Sequence, residues 1–560
     1  MREQPSAVST PTSSTLTIPA WLTPAHLQGM QRGIEKESLR MQANGHIAQT
    51  DHPAALGSAL THPRITTDYS EALLELITPP CDTPQAALAC LRELHQVTYS
   101  ALPEGETLWP LSMPCMLDRD ENKIRLAQYG SSNLGKFKTL YRRGLGVRYG
   151  RRMQTIAGLH YNLSFPETLW QTWQAEQAKA GGTEVAALSL QDFTSEKYFG
   201  LIRNFIRLTP MVIYLLGASP AVCACFLMGR EHHLQPLMDG TLYLPEATAL
   251  RMGRLGYQNS AQRSLGIHYN CMRAYVAGLK RAIGDVYPPF SALGLDDADG
   301  APLQINDHIL QLENEYYSLI RPKQIAKEGE TPSDALAARG VAYVELRAVD
   351  LDPFTDIGIS LTSACFLEVL ALYCLLSPSP LLLFGEEERI ARNQAKVVDQ
   401  GRSTGLLLEN ASGEEDFHGW MAQHLSAMLP LAQLLDTAHG GSDYSAALSV
   451  MHTRITDATQ TLSAQVLAQT QNLGNWGFGY QQAQQYAADL RAQPLTAETQ
   501  AQYADYAAHS ITQQTAIENS DSIPFQDYLQ QWRSPSAVSL PAAAFDCDPN
   551  ATTPSTAQQV

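Results

Sequence analysis

The sequence predicts an α+β protein in which a sheet carries most of the candidate site and helices follow it. Two patterns lead to this prediction. Residues 32–166 and 304–354 contain short alternating segments bounded by Gly, Pro and Asn, which is typical of β-strands. Residues 355–532 instead repeat apolar side chains at helical spacing, for example across 360–376. Strands grouped ahead of a helical region indicate an α+β arrangement.

The composition is that of a folded, acidic protein. Of the 560 residues, 44% are hydrophobic and 17% are charged, which suits a chain with a buried core. The formal net charge of -17 argues against a nucleic-acid partner, because phosphate backbones are bound through clustered positive charge. Nine cysteines without a C-x-x-C pair indicate reduced thiols, and no secretory signal is present, so we expect a cytoplasmic protein.

The chain shows no internal linker, so we expect one catalytic unit over residues 18–532, flanked by disordered tails at 1–17 and 533–560 that are rich in Ser, Thr and Pro or Ala. Within that unit we expect a sheet-built site over 30–355 and a mainly helical part over 356–532. Residues 208–229 are apolar enough to suggest a membrane span, but 217–220 interrupt them. We therefore predict a buried helix, a turn and a second apolar segment, and no membrane.

Alternation within the predicted strands places polar side chains on one face of each strand. In 158–165 the polar face carries His160, and in 342–351 it carries Glu345 and Arg347. In 32–40 Glu35 and Glu37 share a face. Each pattern alone also fits a solvated face, as in many antiparallel sheets. The repetition over several strands favours a shared site.

The acidic residues of these strands predict a site for a divalent cation. Glu75 lies within EALLELIT, an apolar context in which a carboxylate needs a partner. A ligand set drawn from Glu35, Glu37, Asp68, Glu75, Glu345 and His160 would be mostly oxygen, which suits Mg²⁺ or Mn²⁺. Zinc prefers thiolates or more histidines, and none has a suitable spacing in the sequence.

Five arginines lie close together just ahead of the strand that carries His160: Arg142, Arg143, Arg148, Arg151 and Arg152. Such a stretch predicts either an anion site or a solvated loop. Residues 130–137, GSSNLGKF, nearly match a phosphate-binding loop but have Phe137 where Ser or Thr should hold Mg²⁺, and no apolar strand precedes them. We do not expect a loop of that kind.

Longer motifs resemble one protein family. They are RGIEKESLR (32–40), ALGSALTHPRITTDYSEALLELITP (55–79), WPLSMPC (109–115), AQYGSSNLGKFKTLYRRGL (127–145), MQTIAGLHYNLSFP (153–166), LLGASPAVC (215–223), LGYQN (255–259), LQIND (303–307), ENEYYSLIRPK (313–323), EGETPSDAL (328–336) and VELRAVDLDPF (344–354). Together they resemble the proteobacterial type of glutamate–cysteine ligase over residues 25 to about 360.

The resemblance implies a fold like that of glutamine synthetase, with a curved antiparallel sheet forming a funnel-shaped active site surrounded by helices. It also implies ATP-dependent ligation of cysteine to the γ-carboxylate of glutamate through a γ-glutamyl phosphate, in the first step of glutathione biosynthesis. Divalent metals and arginines would neutralise the phosphoryl group during transfer. We expect small-molecule partners only, a monomer, and feedback inhibition by glutathione.

The resemblance also assigns roles by position. The implied metal ligands are Glu35, Glu37, Asp68, Glu75, His160 and Glu345; the phosphoryl-neutralising residues are Arg142 and Arg347, with Arg347 also contacting ATP. Gln154 and Arg251 would hold glutamate, and the cysteine pocket would comprise Tyr69, Tyr141, Leu145, Tyr257 and Tyr317. Phenylalanine is also seen in the family at the position of Tyr69, so its hydroxyl is a departure that bears on cysteine contacts.

Two other hypotheses fit parts of the sequence. A related carboxylate–amine ligase would use the same carboxylates with a different amine. A catalytically inactive binding protein on the same scaffold would have lost a metal carboxylate, whereas all of the expected carboxylates are present. An additional glycine-adding activity would need a further ATP-binding domain, for which the helical remainder is too short.

Overall fold

The structure is a computed structural model that describes residues 16–181, 183–255, 265–327 and 329–533. Its strands are β1 (Gln31–Met41), β2 (Ile65–Thr67), β3 (Leu73–Ile77), β4 (Thr107–Leu108), β5 (Leu159–Ser164), β6 (Ala221–Cys223), β7 (Gln235–Pro236), β8 (Thr241–Tyr243), β9 (Ile320–Lys323), β10 (Tyr343–Val349), β11 (Leu407–Asn410) and β12 (Gly413–Asp416). The main sheet has seven antiparallel strands in the order β2-β3-β1-β5-β10-β9, with β4 paired to the end of β1.

The helices are α1 (Pro84–Ala101), α2 (Asn133–Tyr149), α3 (Glu167–Lys179), α4 (Thr183–Ala187), α5 (Leu190–Leu216), α6 (Met272–Gly284), α7 (Pro288–Ser291), α8 (Pro332–Arg339), α9 (Leu361–Leu376), α10 (Phe384–Gln400), α11 (Phe417–His439), α12 (Asp443–Thr456), α13 (Leu462–Ala492), α14 (Ala497–Ser520) and α15 (Phe525–Arg533). The antiparallel sheet with surrounding helices confirms the predicted α+β class. One continuous apolar core includes residues from Leu22 to Leu490.

One face of the main sheet is apolar and packs on helices. Ile34, Leu76, Tyr161 and Leu346 are almost completely buried there. Helix α1 packs on β1 and β3, and α5 packs on β9 and β10. Because strand side chains alternate, the opposite face of the same strands is free to present polar groups to a cavity.

Helix α5 meets the length and hydropathy requirements of a membrane span, but 89% of its apolar window is buried inside the protein. The helix ends at Gly217, and β6 begins at Ala221. Residues 208–229 therefore form the predicted helix, turn and second apolar segment, and the burial of α5 is typical of a core helix.

The structure differs from the strand pattern expected for residues 32–166, because α1 and α2 lie within that range. The side chain of Ser132 accepts a hydrogen bond from the backbone N–H of Gly135 and so caps the first turn of α2. The segment 130–137 is therefore a helix start. Phe137 packs against Tyr528 and Trp532 of α15. The predicted tails fall outside the described residues, apart from 16, 17 and 533.

A buried ion pair joins the apolar face of the sheet to α9. Both oxygens of Glu368 accept hydrogen bonds from the guanidinium of Arg32, at 2.7 and 2.8 Å, and neither side chain is exposed. The hydroxyls of Tyr161 and Tyr444 also donate to Glu368, at 2.6 and 2.8 Å. This network connects β1, β5, α9 and α12 through one carboxylate.

We expect Glu368→Gln to lower the free energy of unfolding by about 3–5 kcal/mol, because Arg32 would keep its buried charge without a counterion. Chemical denaturation followed by circular dichroism measures this loss. The matched control is Glu409→Gln, whose partner Arg392 lies in an exposed ion pair, and it should leave the transition unchanged. Equal transitions for both variants would contradict a structural role for the buried pair.

Candidate active site

A cavity of about 1550 Å³ opens on the polar face of the main sheet. Besides the sheet, residues of α2, α6, α8 and α15 line it. Of the sequence-predicted site residues, the cavity brings together Glu35, Glu37, Asp68, Tyr69, Glu75, Tyr141, Arg142, Leu145, Gln154, His160, Arg251, Tyr317, Glu345 and Arg347. Tyr257 lies outside the described residues. Sequence-predicted residues as far apart as Glu35 and Arg347 thus share one cavity.

Strand register explains how the acidic side chains meet. Glu35 of β1 lies opposite His160 of β5, and Glu37 lies opposite Glu75 of β3. Directly opposed residues on antiparallel strands face the same side of the sheet. Asp68 follows β2 and joins them from the turn ahead of β3.

Glu35 and Glu345 lie beside groups that stabilise their charged forms. His160 Nδ1 lies 3.2 Å from Glu35 Oε2, and the amide of Asn162 donates to Glu35 Oε1 at 2.9 Å. Burial is the largest influence and raises the pKa of Glu35, as does Glu345, but the contact with His160 and the charge of Lys323 together leave the pKa below its ordinary value. Arg347 lies 3.1 Å and Lys323 3.3 Å from Glu345 Oε1. These two cations hold the pKa of Glu345 well below its usual range despite burial.

Glu37 and Glu75 are in the opposite electrostatic situation. Burial and the neighbouring Asp68 raise the pKa of Glu37 to about 8, although the backbone N–H of Gly158 donates to it at 2.6 Å. Burial and the charges of Glu35, Asp68 and Glu37 raise the pKa of Glu75 well above its ordinary value. Both carboxyls are therefore easier to protonate than an ordinary glutamate, and their charged forms are unfavourable until positive charge arrives.

The donor set fits a hard divalent cation. Ligand atoms of Glu35, Glu75 and His160 all lie within 4.8 Å of one another. Burial and Arg347 lower the pKa of His160, so its imidazole is neutral near pH 7 and has a free lone pair. Glu345 Oε2 is buried without a hydrogen-bond partner among the described residues. Carboxylate oxygens with one imidazole nitrogen suit Mg²⁺ or Mn²⁺.

Arg142, Arg347 and Lys138 are among the cations that line the cavity around these carboxylates. Arg142 is held by the backbone carbonyls of Asp68 and Lys138 and lies over the ring of Tyr129, 4.5 Å from its centroid. Arg347 is buried beside Glu345, which raises its pKa further above the usual value even though burial works in the other direction. Lys138 lies one turn before Arg142 on α2, and burial with the charge of Arg142 lowers its pKa to about 8.

Arg251 and Gln154 lie on another wall of the cavity. Asp350 accepts from Arg251 Nε at 2.7 Å, and the carbonyl of Val349 accepts from Nη2 at 2.6 Å. A Cβ at Gly158 would lie 3.3 Å from Arg251 Nη1 and 3.6 Å from Glu37, so glycine keeps this region open. The amide nitrogen of Gln154 is buried and has no hydrogen-bond partner among the described residues.

The aromatic part of the cavity also contains a buried polar atom without a partner among the described residues. Tyr69 is only 1% exposed, and its hydroxyl has no partner within the described ranges. A Cβ at Gly146 of α2 would lie 2.4 Å from that hydroxyl, so the glycine makes room for it. Leu145 lies beside Gly146 on α2, and Tyr141 one turn earlier; both line the same cavity.

The arginine-rich stretch divides between two roles. Arg142 alone of the five lines the cavity. Arg143 pairs with Asp297 at 2.9 Å, and Arg152 pairs with Glu121 at 3.1 Å. Arg148 pairs with Glu315 at 3.0 Å, with both side chains fully buried. Arg151 donates to the carbonyl of Ile124. These four arginines make structural contacts. They lie on α2 and in the turn that follows it, and not on the loop predicted from the sequence.

Sequence reasoning missed several polar residues of the site. Asn162 contacts Glu35, Lys323 contacts Glu345, and Lys138 and Arg321 line the cavity. Alternation in IRPK (320–323) could have indicated Arg321 and Lys323, because both face the side that carries Glu345. Lys138 had a helical signal: it lies four residues before Arg142 and on the same face of α2.

Comparison with known proteins shows which family this chain resembles. A family model described as glutamate-cysteine ligase matches residues 21–397. A glutamate–cysteine ligase from Alcanivorax borkumensis is 46% identical over 514 residues, covering 91% of this chain and 96% of the relative. One from Azotobacter vinelandii is 45% identical over 504 residues, covering 90% and 94%.

Two solved structures are also similar. The crystal structure of a glutamate–cysteine ligase from Francisella tularensis in complex with AMP matches with a TM-score of 0.83 and 34% identity, covering 90% of this chain and 97% of that one. A bifunctional glutathione synthetase from Pasteurella multocida matches with a TM-score of 0.63 and 27% identity, covering 83% of this chain but 53% of that one. By family model and by full-length identity, the chain belongs to the glutamate–cysteine ligase family.

Proposed function

We propose that the protein joins the γ-carboxylate of glutamate to the amino group of cysteine with conversion of ATP to ADP and phosphate, and that the cavity on the main sheet is its active site. One observation carries the assignment of the site: a closely spaced and only partly neutralised set of carboxylates shares a cavity with Arg142, Arg347 and Lys138. Family membership supports the reaction, which is the first step of glutathione biosynthesis.

The chemistry explains why both signs of charge are needed. A free carboxylate is a poor acceptor for an amine, so it is first phosphorylated to γ-glutamyl phosphate, and the amine of cysteine then displaces phosphate. Phosphoryl transfer depends mainly on positioning and on neutralising charge. Mg²⁺ or Mn²⁺ bound by the carboxylates would supply Lewis-acid charge neutralisation to the phosphate oxygens.

We assign the cation-binding role to Glu35, Glu75 and His160, with Glu37, Asp68 and Glu345 completing the acidic set. The compact trio with ligand atoms within 4.8 Å supports the first three. The elevated pKa values of Glu37 and Glu75 support the same assignment, because their charged forms are unfavourable until a cation is present.

Arg142 and Arg347 approach the carboxylate set from different sides and are proposed to neutralise the transferring phosphoryl group. Arg142 acts electrostatically on Glu75, whereas Arg347 acts on Glu37 and Glu345. Guanidinium groups keep their charge at all relevant pH values and match phosphate oxygens in geometry. Arg347 would also contact ATP.

Gln154 and Arg251 are proposed to hold glutamate. The unpaired buried amide of Gln154 supports this role, since it needs an acceptor that a bound carboxylate would supply. Tyr69, Tyr141, Leu145 and Tyr317 are proposed to form the cysteine pocket, together with Tyr257, which lies outside the described residues.

Three further proposals concern the protein in the cell. The described cysteines are all free thiols, which supports a reducing, cytoplasmic location. We propose that the chain works as a monomer. We also propose that glutathione inhibits it, because glutathione contains the γ-glutamylcysteine unit and would fit the pockets of both substrates.

Release of ADP by purified protein with Mg²⁺ should require glutamate and should become faster when cysteine is added. A coupled assay of ADP formation measures both effects, and chelation of the cation should abolish them. Competition among cysteine, 2-aminobutyrate and other amines identifies the preferred acceptor. ADP release without dependence on either amino acid would refute the assignment, and preference for another amine would favour the related carboxylate–amine ligase.

Glu75→Gln should reduce turnover by at least about 100-fold, because it removes a proposed cation ligand. It should not destabilise the fold. The pKa of Glu75 is higher in the folded protein than in the unfolded chain, so ionisation of this carboxyl destabilises the folded protein as the pH rises from the unfolded-state pKa through the folded-state pKa. Glutamine does not ionise and therefore removes this loss of stability. Thermal unfolding at pH 8 without metal should therefore give an equal or higher midpoint for the variant. The exposed substitution Glu414→Gln serves as control, and unchanged turnover in Glu75→Gln would exclude the ligand role.

Tyr69→Phe should raise the KM for cysteine by roughly threefold to tenfold, equivalent to the loss of one hydrogen bond, and leave the KM for glutamate unchanged. It should not lower stability, because the hydroxyl has no protein partner in the described part of the chain. Tyr129→Phe is the contrast: its hydroxyl donates to Thr67 at 2.7 Å, so that variant should lose stability and keep its cysteine KM. Steady-state kinetics and denaturation together separate the two. If Tyr69→Phe keeps the native KM, its hydroxyl does not contact cysteine.

A further inference from the structure

Three cysteines from distant parts of the sequence meet behind one wall of the cavity. The sulfur atoms of Cys115, Cys223 and Cys225 all lie within 4.8 Å of one another. Cys225 donates to Cys223 with a sulfur–sulfur distance of 2.8 Å. Sequence spacing indicated no thiolate site, because 108 residues separate Cys115 from the other segment. The fold corrects that expectation.

The backbone is arranged around these three sulfur atoms. Cys223 is the last residue of β6 and Cys225 lies in the short helical turn that follows. Opposite them, Met116 adopts a left-handed backbone with φ of 52°, which is uncommon for a residue other than glycine. The next residue, Leu117, donates its N–H to Cys225 Sγ at 3.4 Å. An unusual turn thus directs a backbone donor at a sulfur atom.

The local environment restricts the access of water to these sulfur atoms. Cys115 and Cys223 are 7% and 9% exposed, and Cys225 is partly buried. The backbone N–H donor at Cys225 can stabilise a thiolate there. Three such sulfur atoms cannot all be negatively charged without a cation between them.

We propose that Cys115, Cys223 and Cys225 form a site for one thiophilic metal cation, Zn²⁺ or Cu⁺, held by three thiolates. Binding forms metal–sulfur bonds and releases the thiol protons to solvent. Sulfur ligands select these soft cations over Mg²⁺ and Mn²⁺, so the site differs in ligand chemistry from the carboxylate set. The proposal is independent of the ligase reaction.

The geometry favours a cation over a disulfide. A disulfide would use two of the sulfur atoms and leave the third as a buried thiol with no role, whereas a cation uses all three. The convergence of a third sulfur and a backbone donor on the same point is what a metal centre requires.

The site would also stiffen the neighbouring wall of the cavity. The carbonyl of Cys225 accepts from Arg152 Nη1 at 2.7 Å, and Arg152 immediately precedes Met153 and Gln154, which line the cavity. A cation that fixes Cys225 therefore fixes the anchor of the segment that carries Gln154.

Cadmium is a suitable probe, because cadmium–thiolate bonds absorb in the ultraviolet whereas cadmium bound to carboxylates does not. The full-length protein, reduced and freed of metal under anaerobic conditions, would be titrated with Cd²⁺ in excess Mg²⁺ to keep the carboxylates occupied. We expect one equivalent per chain with absorption matching three sulfur ligands. Displacement by Zn²⁺ in one arm, and by Cu⁺ from a chromophoric chelator in the other, identifies the preferred cation.

Cys225→Ser should weaken Cd²⁺ binding by about 100-fold or more, since even supporting groups of metal ligands contribute 10- to 100-fold. Cys271→Ser, at a partly buried cysteine outside the cluster, should bind like the native protein. Cys115→Ala provides a second test if circular dichroism shows that Cys225→Ser is misfolded.

Absence of the thiolate absorption, or its persistence in both cluster variants, would overturn the proposal. So would a two-hydrogen mass loss linking two of the three cysteines in protein kept under reductant, because the cluster would then be a disulfide pair. ADP formation by the native protein is assayed separately, so failure of the metal site and failure of the ligase assignment can be told apart.

Discussion

Mutual repulsion among closely spaced carboxylates on the polar face of the main sheet is the constraint on which the rest of the structure depends. Glu345 is buried, and Glu35, Glu37 and Glu75 are half-buried on the wall of the cavity, so their charges are screened less than charges at an exposed surface. Arg347, Lys323 and the contacts with His160 and Asn162 stabilise the charged forms of Glu35 and Glu345. The pKa values of Glu37 and Glu75 stay above the ordinary value, although Arg347 acts on Glu37 and Arg142 on Glu75. The polar face of the sheet therefore carries too little positive charge to stabilise all of its carboxylates. A substrate that brings metal-bound phosphates would supply that charge.

The opposite face of the same strands counterbalances this unfavourable arrangement. Its apolar side chains pack on helices, and the Arg32–Glu368 pair fixes β1 to α9. Lys36, on the same side of β1, is also enclosed, 2.9 Å from His95 and 2.6 Å from the hydroxyl of Ser38. Burial lowers the pKa of Lys36 to about 7. β1 thus carries charged residues on both faces: Arg32 and Lys36 contact the helical layer, and Glu35 and Glu37 face the cavity.

Where the chain is extended, alternation predicted which side chains line the cavity. It found Glu35, Glu37, His160, Glu345 and Arg347, because a strand's period of two places them on one face whatever the neighbouring strands are. It could not show that Glu37 lies opposite Glu75, since register depends on contacts between strands. The α+β class and the late helical region followed from periodicity, but α1 and α2 were missed. Glycines and polar residues dilute the apolar spacing of α2, whereas α1 has Ala87, Leu91 and Leu94 at helical spacing inside a range that was assigned to strands as a whole. Arg148 shows the same limit: its buried partner, Glu315, is 167 positions away. The cysteine cluster is invisible to spacing for that reason.

The C-terminal helix α15 gives the cavity a consequence for how the protein matures. Tyr528 and Trp532 line the cavity and pack on Phe137 of α2, while Glu35 of β1 lies on the same cavity. The complete binding site is therefore assembled from contacts that span almost the whole described sequence, and such high contact order slows folding. During synthesis on the ribosome, the acidic residues of the sheet emerge before α15, which carries Tyr528 and Trp532 of the facing wall. The cavity therefore gains its full lining only after α15 has been made and has packed on α2.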